Sequence, residues 1–331
     1  VCSSDLHTGK ISEIAYKRSV LKKICDKSDN LQVGIDGAHM AIEDVTMVIS
    51  SNCILKWFLG CERYYLQKTL NDIYASGGSP KYVQLQINIP DDFEEKQLGR
   101  IIRSFDEAVT EMGLSIQKCD VYAGNVSQVL IQIHVIGVSE KTFSLKDIKE
   151  NTDIVMAGTI AIGATSIITS LYESKLRERF HDTFVDGCLK ISEFTNIKKI
   201  TDVAKEQNIL YMHHVSDGGV FAAAWEMASA VNLGIEVDIK KIPVWQETIE
   251  IAEVFDYNPY MTDGTGAVLI AAKDGAALVE ILKDAGIYAD VIGHITSGRD
   301  RVVMNGDERR FLEPPRGDEI YNYLNGKGEM A

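Results

Sequence analysis

The chain has 331 residues, more than the ~100–150 of a typical domain, so two cores are expected. Hydrophobic residues at 45% and charged residues at 25% exclude a disordered chain and supply enough apolar material for both cores. A formal net charge of −14 argues against a nucleic-acid partner, which needs clustered Lys and Arg, yet leaves room for an anion held locally by backbone N–H groups or a bound cation.

Residues 1 to 6 read as the translation of a sequencing adapter and are set aside from fold reasoning, with Cys2 among them. The first strong helix is Tyr64 to Ser76, closed by Gly77-Gly78 and Pro80. From Tyr82 to Ile89, the apolar Val83, Leu85, Ile87 and Ile89 alternate with polar residues, the period of a strand with one buried face. Asp91 or Asp92 is placed to cap the next helix, which runs to Glu111. Leu98, Ile101, Ile102, Phe105, Ala108 and Val109 share one face of it, and Gly113 is its stop. Val129 to Val138 is a second strong strand. The order strand, helix, strand, helix, strand over 45–138 describes one α/β domain.

The polar stretch Ser139 to Thr152 marks a boundary, and a second α/β unit begins with the strand Ile154 to Ala157. Its helices are expected near 165–180, 200–207, 218–230 and 275–284, and its strands at 235–239, 267–272 and 288–295. The expected division is an N-terminal domain over 8–148, a C-terminal domain over 149–300 and an irregular extension over 301–331, with Asn305-Gly306 as a hairpin turn. No apolar run reaches the ~18 residues of a membrane span, which predicts a protein off the membrane. Six scattered cysteines without a Cys-x-x-Cys spacing disfavour a zinc or redox pair and fit free thiols in the cytoplasm.

The most distinctive run is His213-His214-Val215-Ser216-Asp217-Gly218-Gly219-Val220. A glycine pair at the mouth of a helix lets backbone N–H groups approach an anion, although a tight turn and cap is the commoner meaning of such a run. Adjacent His213 and His214 point to opposite sides of a strand and cannot share one metal. A structural or solvent-facing role is expected for His213, and His134 is expected at a surface or interface. Asp263-Gly264-Thr265-Gly266 precedes a strand, the wrong context for a dinucleotide loop, and reads as a turn.

Taken with Thr165-Ser166-Ile167-Ile168, Arg177-Glu178-Arg179-Phe180, Lys241-Ile242-Pro243, Phe255-Asp256-Tyr257-Asn258-Pro259-Tyr260, Val291-Ile292-Gly293 and Asn305-Gly306-Asp307, this run resembles the AIR synthase-related (PurM-like) superfamily. The HypE-like hydrogenase maturation branch is the most similar, over roughly residues 10 to 324. The resemblance implies a two-domain α/β (α+β) fold, an ATP and Mg²⁺ site on the N-terminal domain, and a homodimer formed by pairing N-terminal sheets. Magnesium needs carboxylates there, and Asn71-Asp72 matches the family's Asn-Asp helix, with Asp72 as the metal candidate.

The other acidic motifs depart from the family pattern. In Gly34-Ile35-Asp36-Gly37-Ala38, Ala38 falls at the acidic position and Asp36 lies two residues away. Family Ser-Thr-Asp-Pro is Ser50-Ser51-Asn52-Cys53 here, and the third acidic segment is Gln117-Lys118-Cys119-Asp120-Val121 without its glycines. Cys53 and Cys119 therefore both sit at altered motif positions, which could bring two thiols near one cleft, although buried replacements are the commoner outcome. His214 stands where the family usually has an acid before the glycine pair.

Two readings follow. In the first, ATP activates an amide or carboxamide oxygen. Asn71 and Asp72 organise Mg²⁺, Asp36 and Asp120 assist, and the Asp217-Gly218-Gly219 loop faces the ligand across the cleft. In the second, the chain is a non-catalytic paralogue, a dimeric binding or regulatory module with a protein partner. The lost carboxylates favour the second, and the tail Asn325 to Ala331, with no terminal cysteine, argues against carbamoyl dehydration by the HypE route.

Overall fold

The computed structural model describes residues 10–25, 28, 30–58, 60–315 and 317–324. The adapter-like start and the tail from Asn325 lie outside the described residues. The chain divides into two compact units, one from Asp36 to Thr142 and a larger one that joins the segment up to Ile35 to everything from Phe143 onward. The segment before Asp36 thus belongs with the larger unit. It carries the short helix α1 (Glu13–Tyr16), which runs into a π turn over Lys17–Leu21.

The smaller unit holds β1 (Ala38–Ile42), β2 (Val45–Ile54), α2 (Cys61–Ala75), β3 (Gly78–Ile89), α3 (Glu95–Glu111), β4 (Ser115–Ala123) and β5 (Leu130–Ser139). Its strands form a five-stranded sheet in the order β1-β2-β5-β3-β4. The alternation in β3 buries Val83, Leu85 and Ile87 with Ile131, Ile133 and Val135 of β5 and with Leu66, Leu70 and Ile73 of α2. Each such side chain contributes ~1.5–3 kcal/mol on burial. The N-cap position of α3 is Glu94, which makes no side-chain cap bond, so the expected cap at Asp91 or Asp92, which lie in the turn before it, is corrected. Both β1 and β4 escape the hydrophobic pattern because they are the edges of the sheet. In β4 no residue is buried, so no alternation marks it.

Register defines the second face of this sheet. Met40 pairs with Met47 and Ile42 with Val45, Met47 pairs with Val138, and Tyr82 pairs with Ile136. All of these point away from the helices, and Met40, Ile42, Val45, Tyr82 and Val138 are exposed.

The larger unit continues with β6 (Asp153–Ala157), α4 (Ile162–Arg179), α5 (Asp182–Lys190), α6 (Lys198–Lys205), β7 (Ile209–Val215), α7 (Gly219–Val231) and β8 (Gly234–Asp238). It ends with α8 (Gln246–Phe255), β9 (Ala267–Ala272), α9 (Gly275–Asp284), β10 (Ala289–Thr296), β11 (Arg301–Asn305), β12 (Glu308–Phe311) and α10 (Ile320–Leu324). Its seven-stranded sheet has the order β12-β11-β8-β10-β6-β9-β7. The apolar α7 packs its Ala224, Met227 and Ala228 on one face of this sheet, against Ile235, Val237 and Leu269.

The expected irregular extension is corrected: β11 pairs in parallel with β8, Val303 opposite Val237, and turns at Gly306 into β12. Among the described residues no helix is long and apolar enough to cross a membrane.

Candidate functional site

In the smaller unit Asp72 lies on the sheet side of α2, where Ser50 and Asn52 of β2 reach it. Ser50 Oγ donates to Asp72 Oδ2 at 2.7 Å, and Asn52 Nδ2 donates to the same oxygen at 3.1 Å. Asn71, one residue earlier and a hundred degrees round the helix, is fully buried and accepts from Gln67 Nε2 at 2.8 Å. The family-like Asn-Asp pair therefore splits into a half-buried carboxylate and a packed amide. Asp36 leads into β1 beside the end of α2, where a Cβ on Gly37 would lie 2.7 Å from Ser76 Oγ. A side chain at position 37 would therefore have to displace the Ser76 hydroxyl.

Strand register shows which of the other candidates can meet Asp72. Asn52 pairs with Ile133, which pairs with Leu85, which pairs with Cys119, a row on the helix side. Cys53, Gln132, Gln86 and Asp120 form the next row on the opposite face. Asp120 thus lies across the sheet from Asp72, and its carboxylate bonds Lys118. Cys53 and Cys119 also fall on opposite faces, so the idea of two thiols at one place is corrected. His134, half-buried, lies on the open face between Ser51 and Gln84. Among the described residues no group of three or more His, Cys, Asp or Glu side chains is arranged to hold a metal ion. The magnesium set implied by the resemblance fits poorly: Asp120 lies on the opposite face and position 52 brings a neutral donor to Asp72, so these two positions add no charge to compensate the cation there.

In the larger unit Gly218 and Gly219 both take left-handed φ, 78° and 64°. A Cβ on Gly219 would lie 2.7 Å from the Tyr260 carbonyl oxygen and 2.8 Å from that of Thr262. The glycines are therefore obligatory, but their amides are not open to a ligand. Gly219 N–H donates to the Ser216 carbonyl at 3.0 Å, and Gly218 N–H donates to Asp318 Oδ2 at 2.7 Å. The other carboxylate oxygen of Asp318 accepts from Ile320 N–H at 2.8 Å. An internal carboxylate thus occupies the place at the mouth of α7 where the sequence suggested an external anion.

Asp318 is buried, and burial, reinforced by the neighbouring charges of Asp263 and Asp217, pushes its carboxyl well above the usual range. Sequence reasoning missed Asp318 because it lies one hundred positions beyond Gly218. Asp263 itself accepts from both the N–H (2.9 Å) and the hydroxyl (2.7 Å) of Thr265, the turn its sequence predicts.

His213 and His214 are both buried in β7. His213 Nε2 lies 3.1 Å from Glu226 Oε2 on α7, so the solvent-facing alternative for His213 is corrected. Lys10 Nζ reaches the other oxygen of Glu226 at 2.9 Å. Burial alone pushes Glu226 upward, but Lys10 and His213 overrule it and bring the carboxyl down to about 2. Glu13 of α1 accepts from Ser229 Oγ at 2.8 Å and from the Trp225 indole, and the Arg301 guanidinium stacks 4.0 Å from the centre of that indole. The segment before Ile35 is therefore fastened along α7, ending with Tyr211 Oη donating to the Gly34 carbonyl at 2.6 Å.

Residues 63–139 match the family model described as AIR synthase related protein, N-terminal domain, and residues 153–305 match that of its C-terminal domain. A putative hydrogenase expression/formation protein of Methanocaldococcus jannaschii is 26% identical, across 94% of this chain and 96% of the relative. Among solved structures, HypE in a HypE–HypF complex aligns with a TM-score of 0.67 at 19% identity, over 91% of this chain and 100% of that one. HypE in complex with ATP aligns with a TM-score of 0.63 at 17% identity, over 82% of this chain and 86% of that one. At these identities the likeness to solved structures is one of fold.

Proposed function

Because the chain belongs to the AIR synthase-related family, we propose that it is a HypE-like member that has given up magnesium-dependent ATP turnover and acts as a dimeric binding or regulatory module. The observation that carries this is the hydrogen bond from Asn52 to Asp72. A carboxylate at position 52 would face Asp72 as a like charge at contact distance, an arrangement that calls for a cation between them. The amide supplies a proton donor instead and satisfies Asp72 without metal. The catalytic reading, ATP-dependent activation of an amide or carboxamide, draws support from the kept Asn71-Asp72 pair. The burial of Asn71 against Gln67 gives half of that pair a packing role.

The exposed apolar end of the smaller sheet supports a homodimer through this unit, since contiguous apolar patches mark interaction surfaces. A protein partner fits the same reading, the solved HypE–HypF complex being one case of partnering by a relative. The described cysteines are all free thiols, which supports a reducing, cytoplasmic setting. A phosphate-release assay with ATP and Mg²⁺ tests the proposal. No turnover above background is expected, and turnover that disappears in Asp72→Ala would overturn it.

A further inference from the structure

A cavity of about 670 Å³ lies wholly within the larger unit and shares no lining residue with the glycine-pair loop. It opens where β6 ends, and nothing in the proposed function uses it. Its size is that of a pocket for a small organic molecule.

The floor is fixed backbone. Gly158, at φ 90°, and Gly266, at φ 122°, line it, and a Cβ on Gly158 would lie 2.5 Å from the Gly266 carbonyl oxygen. The cavity is therefore formed before any ligand arrives. Its walls are aromatic. Trp245 and Phe194 meet edge to face with centroids 4.8 Å apart, and Phe194 remains 54% exposed. Tyr288, 65% exposed, also lines it. Large rings left this open around a concave site are poised to stack on another ring.

Charge at the wall is unevenly settled. Asp202 is shared by Lys198 and by Lys205, the latter at 2.9 Å. Lys199 joins no ion pair among the described residues, and its Nζ lies 3.9 Å from where a Cβ on Gly286 would sit. Glu193 borders the cavity from the exposed turn that carries Phe194. It is the acid that a bound anion would have to tolerate.

We propose that this cavity binds a small planar aromatic anion, with its ring stacked on the open side of the Phe194–Trp245 pair and its negative group at Lys199. The ring supplies affinity through apolar and stacking contact, and the ammonium selects for charge. An aromatic carboxylate and a phosphorylated heterocycle share this chemistry.

Titration calorimetry on the full chain separates the outcomes, with indole-3-acetate and pyridoxine 5′-phosphate as probes and tryptophol and inorganic phosphate as controls. Saturable binding of at least one anionic probe is expected with a Kd below about 1 mM, and either control should bind at least about tenfold more weakly. Which probe binds more tightly identifies the anionic group. Lys199→Glu and Trp245→Leu should each weaken that probe by about tenfold or more, and Glu193→Gln should tighten it. Lys199 is exposed, so its variant reads binding even if Trp245→Leu fails to fold. The proposal is overturned if neither anionic probe binds below about 1 mM, if tryptophol binds equally well, or if Lys199→Glu leaves binding unchanged.

Discussion

Asn52 Nδ2 and Asp72 Oδ2 lie 3.1 Å apart, joining the C-terminal end of β2 to the last turn of α2 through a neutral donor and a charged acceptor. Ser50 completes the arrangement from the next helix-facing position of the same strand. The environment of Asp72 is thus assembled from hydrogen bonds, and this makes position 52 the most informative one to change. Asn52→Asp replaces the donor by a second carboxylate and should destabilise the protein by ~1–3 kcal/mol in metal-free buffer. Added Mg²⁺ should recover part of the loss in the variant and leave the parent unchanged, as read from thermal midpoints.

Gly219 tests the turn into α7. An added Cβ would meet two carbonyl oxygens below 3 Å while φ sits at 64°. Gly219→Ala should therefore cost more than the ~1–2 kcal/mol of an ordinary left-handed alanine, and chemical denaturation should show the midpoint fall.

Asp318 predicts a slope of stability with pH. Its carboxyl is raised by burial and by Asp263 and Asp217, so the native protein keeps a proton that the unfolded chain releases. Stability from this group is complete below the unfolded value of ~3.9 and declines as pH rises from there towards the raised native value. Asp318→Asn removes the titration, so denaturation midpoints should vary less with pH above ~4 in the variant than in the parent. Parallel curves would show that Asp318 carries no such linkage.

The open sheet face predicts the oligomeric state. Ile42 is 52% exposed beside Met40 and Val45, and lysine there should leave the fold intact while weakening the proposed dimer. Sedimentation should move from dimer to monomer in Ile42→Lys, with unchanged circular dichroism.

Much of this could be read from the sequence where burial is one-sided. β3 alternates because one face packs on α2, and α3 carries a clean apolar stripe, so both appear near their true limits. β7 shows no period, since all seven of its residues are buried, and the edge strand β4 shows none because no residue in it is buried. β11 became visible only through its parallel pairing with β8, a long-range contact that local pattern cannot report. At the candidate site, residue types singled out Asn52 as a neutral replacement and Asp72 as a kept acid, but not that the two bond each other. Nor could spacing show that Asp120 falls on the opposite face, or that Asp318 fills the glycine-pair turn.

Titration calorimetry of the purified protein with ATP, in the presence and absence of Mg²⁺, addresses the central claim directly. The bond between Asn52 and Asp72 predicts no metal-dependent binding up to millimolar nucleotide. Micromolar binding that requires Mg²⁺ and disappears in Asp72→Ala would contradict it.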